Sequence, residues 1–155
     1  MVARWSDLSI KNRVLHVPEP KGGPRRAFDL YLSRAMLRCI ADARRAGSLL
    51  HAEQARTWIF PAATKSGHIA EWREDRSVLP KYGSDLRQTY RTAAAQLEIP
   101  DIDVMVLMNH VLPMPALGPA ASSVSVGYIT RSALAGHLLR QQEKISRHLL
   151  EAMRS

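Results

Sequence analysis

The sequence predicts an α+β fold that is predominantly helical, with a small N-terminal antiparallel β-hairpin or sheet packed on a helical bundle. Three observations lead there. Two short apolar runs near the start flank a segment dense in turn-forming residues. After residue 33, apolar side chains recur at helical spacing in several separate stretches. The chain is 155 residues long and 46% hydrophobic, enough to close a core around one domain or part of one.

The β-region is read over residues 1–32. Val14-Leu15-His16-Val17 is one apolar run, and Ala27-Phe28-Asp29-Leu30-Tyr31-Leu32 roughly alternates apolar with polar residues. Between them, Pro18-Glu19-Pro20-Lys21-Gly22-Gly23-Pro24 supplies the turn and puts Lys21 near its tip. Residues 33–155 are read as the helical part. Ser33 is placed to cap a helix carrying Met36, Leu37, Ile40 and Ala43, and Gly47 to stop it. Trp58-Ile59-Phe60 reads as a short buried strand, or as an anchor ended by Pro61. Residues 62–83 hold no sustained period and read as a structured loop, fastened by Ile69 and Trp72.

A second helix is expected from Ser84, with Leu86, Tyr90, Ala93 and Leu97 as one buried stripe. Pro100 opens a third, with Asp101 and Asp103 in a first turn that favours acids, and Asn109-His110 near its end. Its Met105 and Met108 are expected in the core. Residues 111–123 are rich in Pro, Ala, Gly and Ser and read as a loop, with Tyr128 standing before the last helix. That helix is expected over 132–153, with Leu134, Leu138, Ile145, Leu149 and Met153 as its apolar stripe.

Composition narrows the function classes. Lys and Arg number 22 against 14 Asp and Glu, a formal net charge of +8. Arginine supplies 17 of those cations. Its planar fork grips phosphate with two hydrogen bonds, so a polyanion is the first partner to consider, beside the alternative of a merely solvated basic surface. Arg25, Arg26, Arg44, Arg45, Arg73, Arg76 and Arg91, with Lys65 in a polar loop, are the candidate backbone contacts. No stretch approaches the ~18 apolar residues of a membrane span, and the N-terminus lacks the apolar segment of a secretory signal, so a cytoplasmic chain is expected. A lone cysteine, Cys39, leaves no disulfide framework and no Cys-based zinc site, and reads as a core thiol. His16, His51, His137 and His148 have no metal-ligand spacing and read as surface or packing residues, so no metal is expected.

The residues able to carry chemistry are spread out. Arg87 is read as lying in the first turn of the Ser84 helix, where its guanidinium and free backbone N–H groups would face one anion. Ser84 lies three residues earlier on the same face. His110 closes the next helix, and Tyr128 follows. Taken singly, an arginine on a helix is an ordinary solvated residue, a terminal histidine an ordinary cap, and a tyrosine beside a glycine ordinary packing.

As an ordered set they say more. Lys21 at a hairpin tip, Ser84-Asp85-Leu86-Arg87-Gln88-Thr89-Tyr90, Leu107-Met108-Asn109-His110 and Gly127-Tyr128-Ile129 together resemble the C-terminal part of the catalytic domain of tyrosine recombinases, especially phage-type integrases. Arg4-Trp5-Ser6-Asp7 looks like the start of that family's first sheet strand. The resemblance spans nearly the whole chain. It implies site-specific DNA recombination or integration, with double-stranded DNA as partner and neither metal nor nucleotide cofactor. Tyr128 would attack a phosphodiester to give a 3′-phosphotyrosyl bond. Arg87 would hold the non-bridging oxygens. Lys21 would protonate the leaving 5′-oxygen, and His110 would hold the phosphate or assist proton transfer. The last helix would either couple copies into a homo-oligomer on DNA or fold back on its own domain, and DNA binding would keep the protein near the nucleoid.

Three departures accompany the resemblance. The chain starts three residues before Arg4, leaving no room for the family's further catalytic arginine or its DNA-clamping domain, so a fragment or decayed remnant is expected. Ser84 stands where the family usually has histidine, and a hydroxyl holds no charge near neutrality. The segment from His110 to Tyr128 is longer than usual. The alternative reading is therefore a basic DNA-binding module that kept the fold and lost the chemistry. A third is an interaction protein that uses only the last helix.

Overall fold

The computed structural model describes residues 2–20, 23–69, 82–110 and 123–154; within 82–84 and 123–134 it describes the helix and not the side chains. The fold is α+β, with a three-stranded antiparallel sheet and four helices among the described residues. Contacts divide the chain into two compact units, Met1–Leu86 and Arg87–Ser155.

In the first unit, strands β1 (Leu8–Ser9), β2 (Val14–Val17) and β3 (Phe28–Tyr31) lie in the order β1-β2-β3. The two apolar runs pair as expected, in the register Val14 with Tyr31, Leu15 with Leu30, His16 with Asp29 and Val17 with Phe28. Period-two alternation turns Leu15 into the core and His16 outward, where its Nδ1 meets Asp29 Oδ1 at 2.8 Å across the strands. The strand expected at Arg4-Trp5-Ser6-Asp7 is absent. Trp5–Asp7 is a single 3₁₀ turn, and Arg4 makes only an isolated bridge to Trp58. Asp7 favours that turn by accepting the Arg4 N–H on its carboxylate at 3.2 Å.

Helix α1 (Arg34–Leu50) starts where Ser33 Oγ accepts the Met36 N–H at 3.2 Å, satisfying one of the otherwise free donors. Its inward stripe of Met36, Leu37 and Ile40 closes on Leu15, Leu32 and the fully buried Ile59. Gly47 does not stop the helix. It is buried inside it, because a Cβ there would lie 2.7 Å from Pro61 Cγ. Cys39 sits on the exposed side of α1 and is not a core thiol, since one residue of helix turns it about 100° from Ile40. Trp58-Ile59-Phe60 forms no strand. It is an anchor, with Arg4–Trp58 and Pro61–His68 as isolated bridges. Trp72 lies outside the described residues.

The second unit holds the remaining helices, except that the first turns of α2 fall before Arg87. Helix α2 (Tyr82–Gln96) begins two residues ahead of the expected Ser84. Ala93 and Ala94 are buried, while Leu86 is 54% exposed and so leaves the expected stripe. The helix ends with Glu98 in the left-handed region at φ 53°, the Ile99 N–H reaching Ala94 O and the Glu98 N–H reaching Ala95 O. That pair of bonds is the Schellman closure. Helix α3 (Asp101–Leu107) follows at once and closes the same way. Asn109 is left-handed at φ 54°, and His110 and Asn109 donate to Met105 O and Val106 O. Its buried face is Val104 and Leu107, with Met105 and Met108 half-buried and not in the core.

Helix α4 runs Ser123–Ala152, nine residues earlier than the expected start at 132. Ser, Val, Gly, Tyr, Ile and Thr crowd its first turns, and such residues are indifferent or poor helix formers, which hides the boundary from propensity. Leu138 and Ile145 are fully buried, but Met153 is 82% exposed and lies outside the core stripe. Between them on the same face, Gln141 and Gln142 are buried too.

Candidate nucleic-acid interface

Of the five residues expected to carry chemistry, Arg87, His110 and Tyr128 belong to the second unit, and Ser84 and Lys21 to the first. Arg87 is the sixth residue of α2 and not in its first turn, because the helix starts at Tyr82. Its own N–H is therefore past the four free donors of the helix start, and the joint guanidinium and backbone cradle does not form there. The guanidinium is exposed, engages no described residue, and has Arg91 one turn further on, also exposed.

His110 uses its backbone to close α3 and leaves its ring exposed, with no partner among the described residues. Tyr128 lies within α4 and not before it, and its side chain, like that of Ser84, falls outside the description. Lys21 and Arg73 lie outside the described residues. On either side of Lys21, the Gly23 N–H donates to Pro20 O at 2.8 Å, with Gly23 at φ 81°.

Among the expected backbone contacts, Arg25 and Arg26 are exposed on the 3₁₀ turn Pro24–Arg26. Lys65 is exposed in a tight turn that Thr64 stabilises by donating its hydroxyl to His68 O at 2.9 Å. The His68 ring packs tilted against Trp58, 4.4 Å between centroids. Arg44 lies over Trp5 at 5.1 Å, a cation–π contact that fixes the guanidinium on the surface.

The structure also brings together residues that the sequence offers singly. His137 Nε2 lies 2.6 Å from Asp103 Oδ2, joining α4 to α3. With its proton on Nε2, the imidazole donates to a carboxylate that is only 5% exposed. Tyr90 donates its hydroxyl to Gln142 Oε1 at 2.8 Å, and burial pushes its phenol well above the usual tyrosine range. That makes Tyr90 a polar tie between α2 and α4. His148 pairs with Gln96 at 2.9 Å, so the two ties advance the same way along both helices, which run parallel. Separations of 34 and 52 residues leave no local pattern from which these pairs could be read.

Among the described residues no group of three or more His, Cys, Asp or Glu could hold a metal ion, and no helix is long and apolar enough to cross a membrane. Comparison with known proteins finds no matching family model, curated protein or solved structure.

Proposed function

We propose that the chain cleaves and rejoins DNA strands in site-specific recombination, with the fold and chemistry of a tyrosine recombinase catalytic domain. The reading rests on the ordered residues Arg87, His110 and Tyr128. The observation that carries it is their common membership of one compact unit, with the Arg87 guanidinium and the His110 ring exposed and unengaged by any described residue. An arginine without a protein partner is available to a phosphate.

In the proposed step, Tyr128 Oη bonds to the scissile phosphorus and its proton passes to His110. The bond from phosphorus to the 5′-oxygen breaks, and the leaving oxygen takes a proton from solvent. Arg87 neutralises the non-bridging oxygens as charge builds. The phosphotyrosyl link conserves the bond, and a 5′-hydroxyl re-forms the diester by the reverse path.

A nicked suicide duplex tests this. Any covalent DNA adduct the chain forms should be abolished by Tyr128→Phe and slowed about 10²–10³ by Arg87→Ala, as loss of one oxyanion donor does. An adduct that persists in Tyr128→Phe overturns the assignment. Salt-sensitive binding without any adduct supports the second reading, a non-catalytic DNA-binding module. Ser84 favours that reading, since its hydroxyl cannot carry the charge of an imidazolium.

A further inference from the structure

The outer face of α4 carries a cationic ridge. Arg140, Lys144, Arg147 and Arg154 fall at i, i+4, i+7 and i+14, within about 80° of arc on a helix of 3.6 residues per turn. All four are exposed. Leu138, Gln142 and Ile145 occupy the opposite side and are buried. Among the described residues, Arg140, Lys144 and Arg147 form no ion pair or side-chain hydrogen bond. Glu151 is the one acid on the ridge, one turn beyond Arg147. Arg140 folds back over Gly136, with Nη1 3.8 Å from where a Cβ would stand.

We infer that this face grips the sugar-phosphate backbone of double-stranded DNA through Arg140, Lys144 and Arg147. The inference rests on the reading above only in taking DNA as the polyanion; it does not need Tyr128 chemistry. Seven residues of helix span about 10.5 Å, which sets three long cationic side chains side by side along one stretch of strand backbone.

Charge and packing select this occupant. A second copy set face to face on the ridge would bring like charges together. A helix lying on a membrane needs a free apolar face, and that of α4 is consumed by the protein's own core at Leu138 and Ile145. A phosphate backbone needs only the exposed cations.

The test uses the full chain and a fluorescently labelled 30-base-pair duplex, with affinity read between 50 and 200 mM salt. Each phosphate contact contributes about −0.9 to the slope of log K against log salt. The triple variant R140Q/K144Q/R147Q should lose about 2.7 of that slope. The wild-type chain should therefore weaken about 40-fold more than the variant over this fourfold range. Far-UV circular dichroism establishes that the variant stays helical. A lower slope supports the ridge whether or not Tyr128 forms an adduct. An unchanged slope overturns it, and if Tyr128-dependent adducts still form, the recombinase reading survives alone. No DNA binding by the wild-type chain overturns both. A variant that loses only its binding to phosphatidylserine vesicles, with the DNA slope unchanged, replaces DNA by a lipid surface and overturns the proposal.

Discussion

Replacing Gly47 with alanine should destabilise the first unit, against the usual direction of such a change. In an ordinary helix interior, Gly→Ala gains about 1 kcal/mol from reduced backbone entropy and better propensity. Here the new Cβ would stand 2.7 Å from Pro61 Cγ and 3.1 Å from Pro61 Cδ. Carbon contacts are comfortable from about 3.5 Å, so the nearer approach is too close by ~0.8 Å. A proline ring cannot swing aside as a long side chain does, so α1 and the segment at Pro61 must part. Overpacking of this kind costs about 1–3 kcal/mol. Set against the propensity gain, the net loss should be up to about 2 kcal/mol. Tryptophan fluorescence during urea unfolding reads the right unit, because all three tryptophans fall between residues 5 and 72. Pro61→Ala should cost something alone, yet the double variant should recover most of the Gly47→Ala loss, giving a clear coupling energy. A Gly47→Ala chain more stable than wild type, or strict additivity with Pro61→Ala, would refute the close approach.

Further outcomes concern the second unit. Glu98 holds a left-handed conformation at the end of α2, so Glu98→Gly should stabilise by about 1 kcal/mol in urea unfolding followed by far-UV circular dichroism. The same change at Asn109 should gain less, since asparagine tolerates that region. His137→Ala leaves the buried Asp103 carboxylate without its imidazole and should cost about 1–3 kcal/mol, whereas Asp103→Asn keeps an acceptor and should cost less. Burial raises the Tyr90 phenol, so the folded state keeps its proton after the unfolded chain begins to lose it near pH ~10. Stability is then full below that pH and falls as pH rises beyond it. Tyr90→Phe should cost about 1 kcal/mol at neutral pH and flatten the alkaline fall, as read by unfolding at several pH values.

Local chemistry made a good part of the fold legible. Pro18 to Pro24 between two apolar runs could only be a connection, and β2 and β3 pair around it. Ser33 before a periodic stretch is a cap, and it caps α1. Errors came where a local signal had two meanings. Gly47 carries the mark of a helix stop, yet serves a close approach to a residue fourteen positions away. The first turns of α4 look unlike a helix, yet are one. Two glutamines inside the α4 stripe look like solvent-facing residues, yet are buried, one of them held by Tyr90. The candidate site was legible as residue types in order. The two-residue shift of the α2 start, which carries Arg87 out of the first turn, was not.

The sequence by itself determined the class of elements, their order, the caps, the basic charge and the spacing of the cations along α4. These follow from chemistry within a few residues, where hydroxyls, glycines and repeating apolar side chains act on their own backbone. Tertiary structure alone decided which helix faces are covered, where α2 and α4 begin, and that His137 meets Asp103 and Tyr90 meets Gln142. Helix propensities differ by only tenths of a kcal/mol per residue, while burying one large apolar side chain is worth about 1.5–3 kcal/mol. Contacts between distant residues therefore override the local signal wherever the two compete.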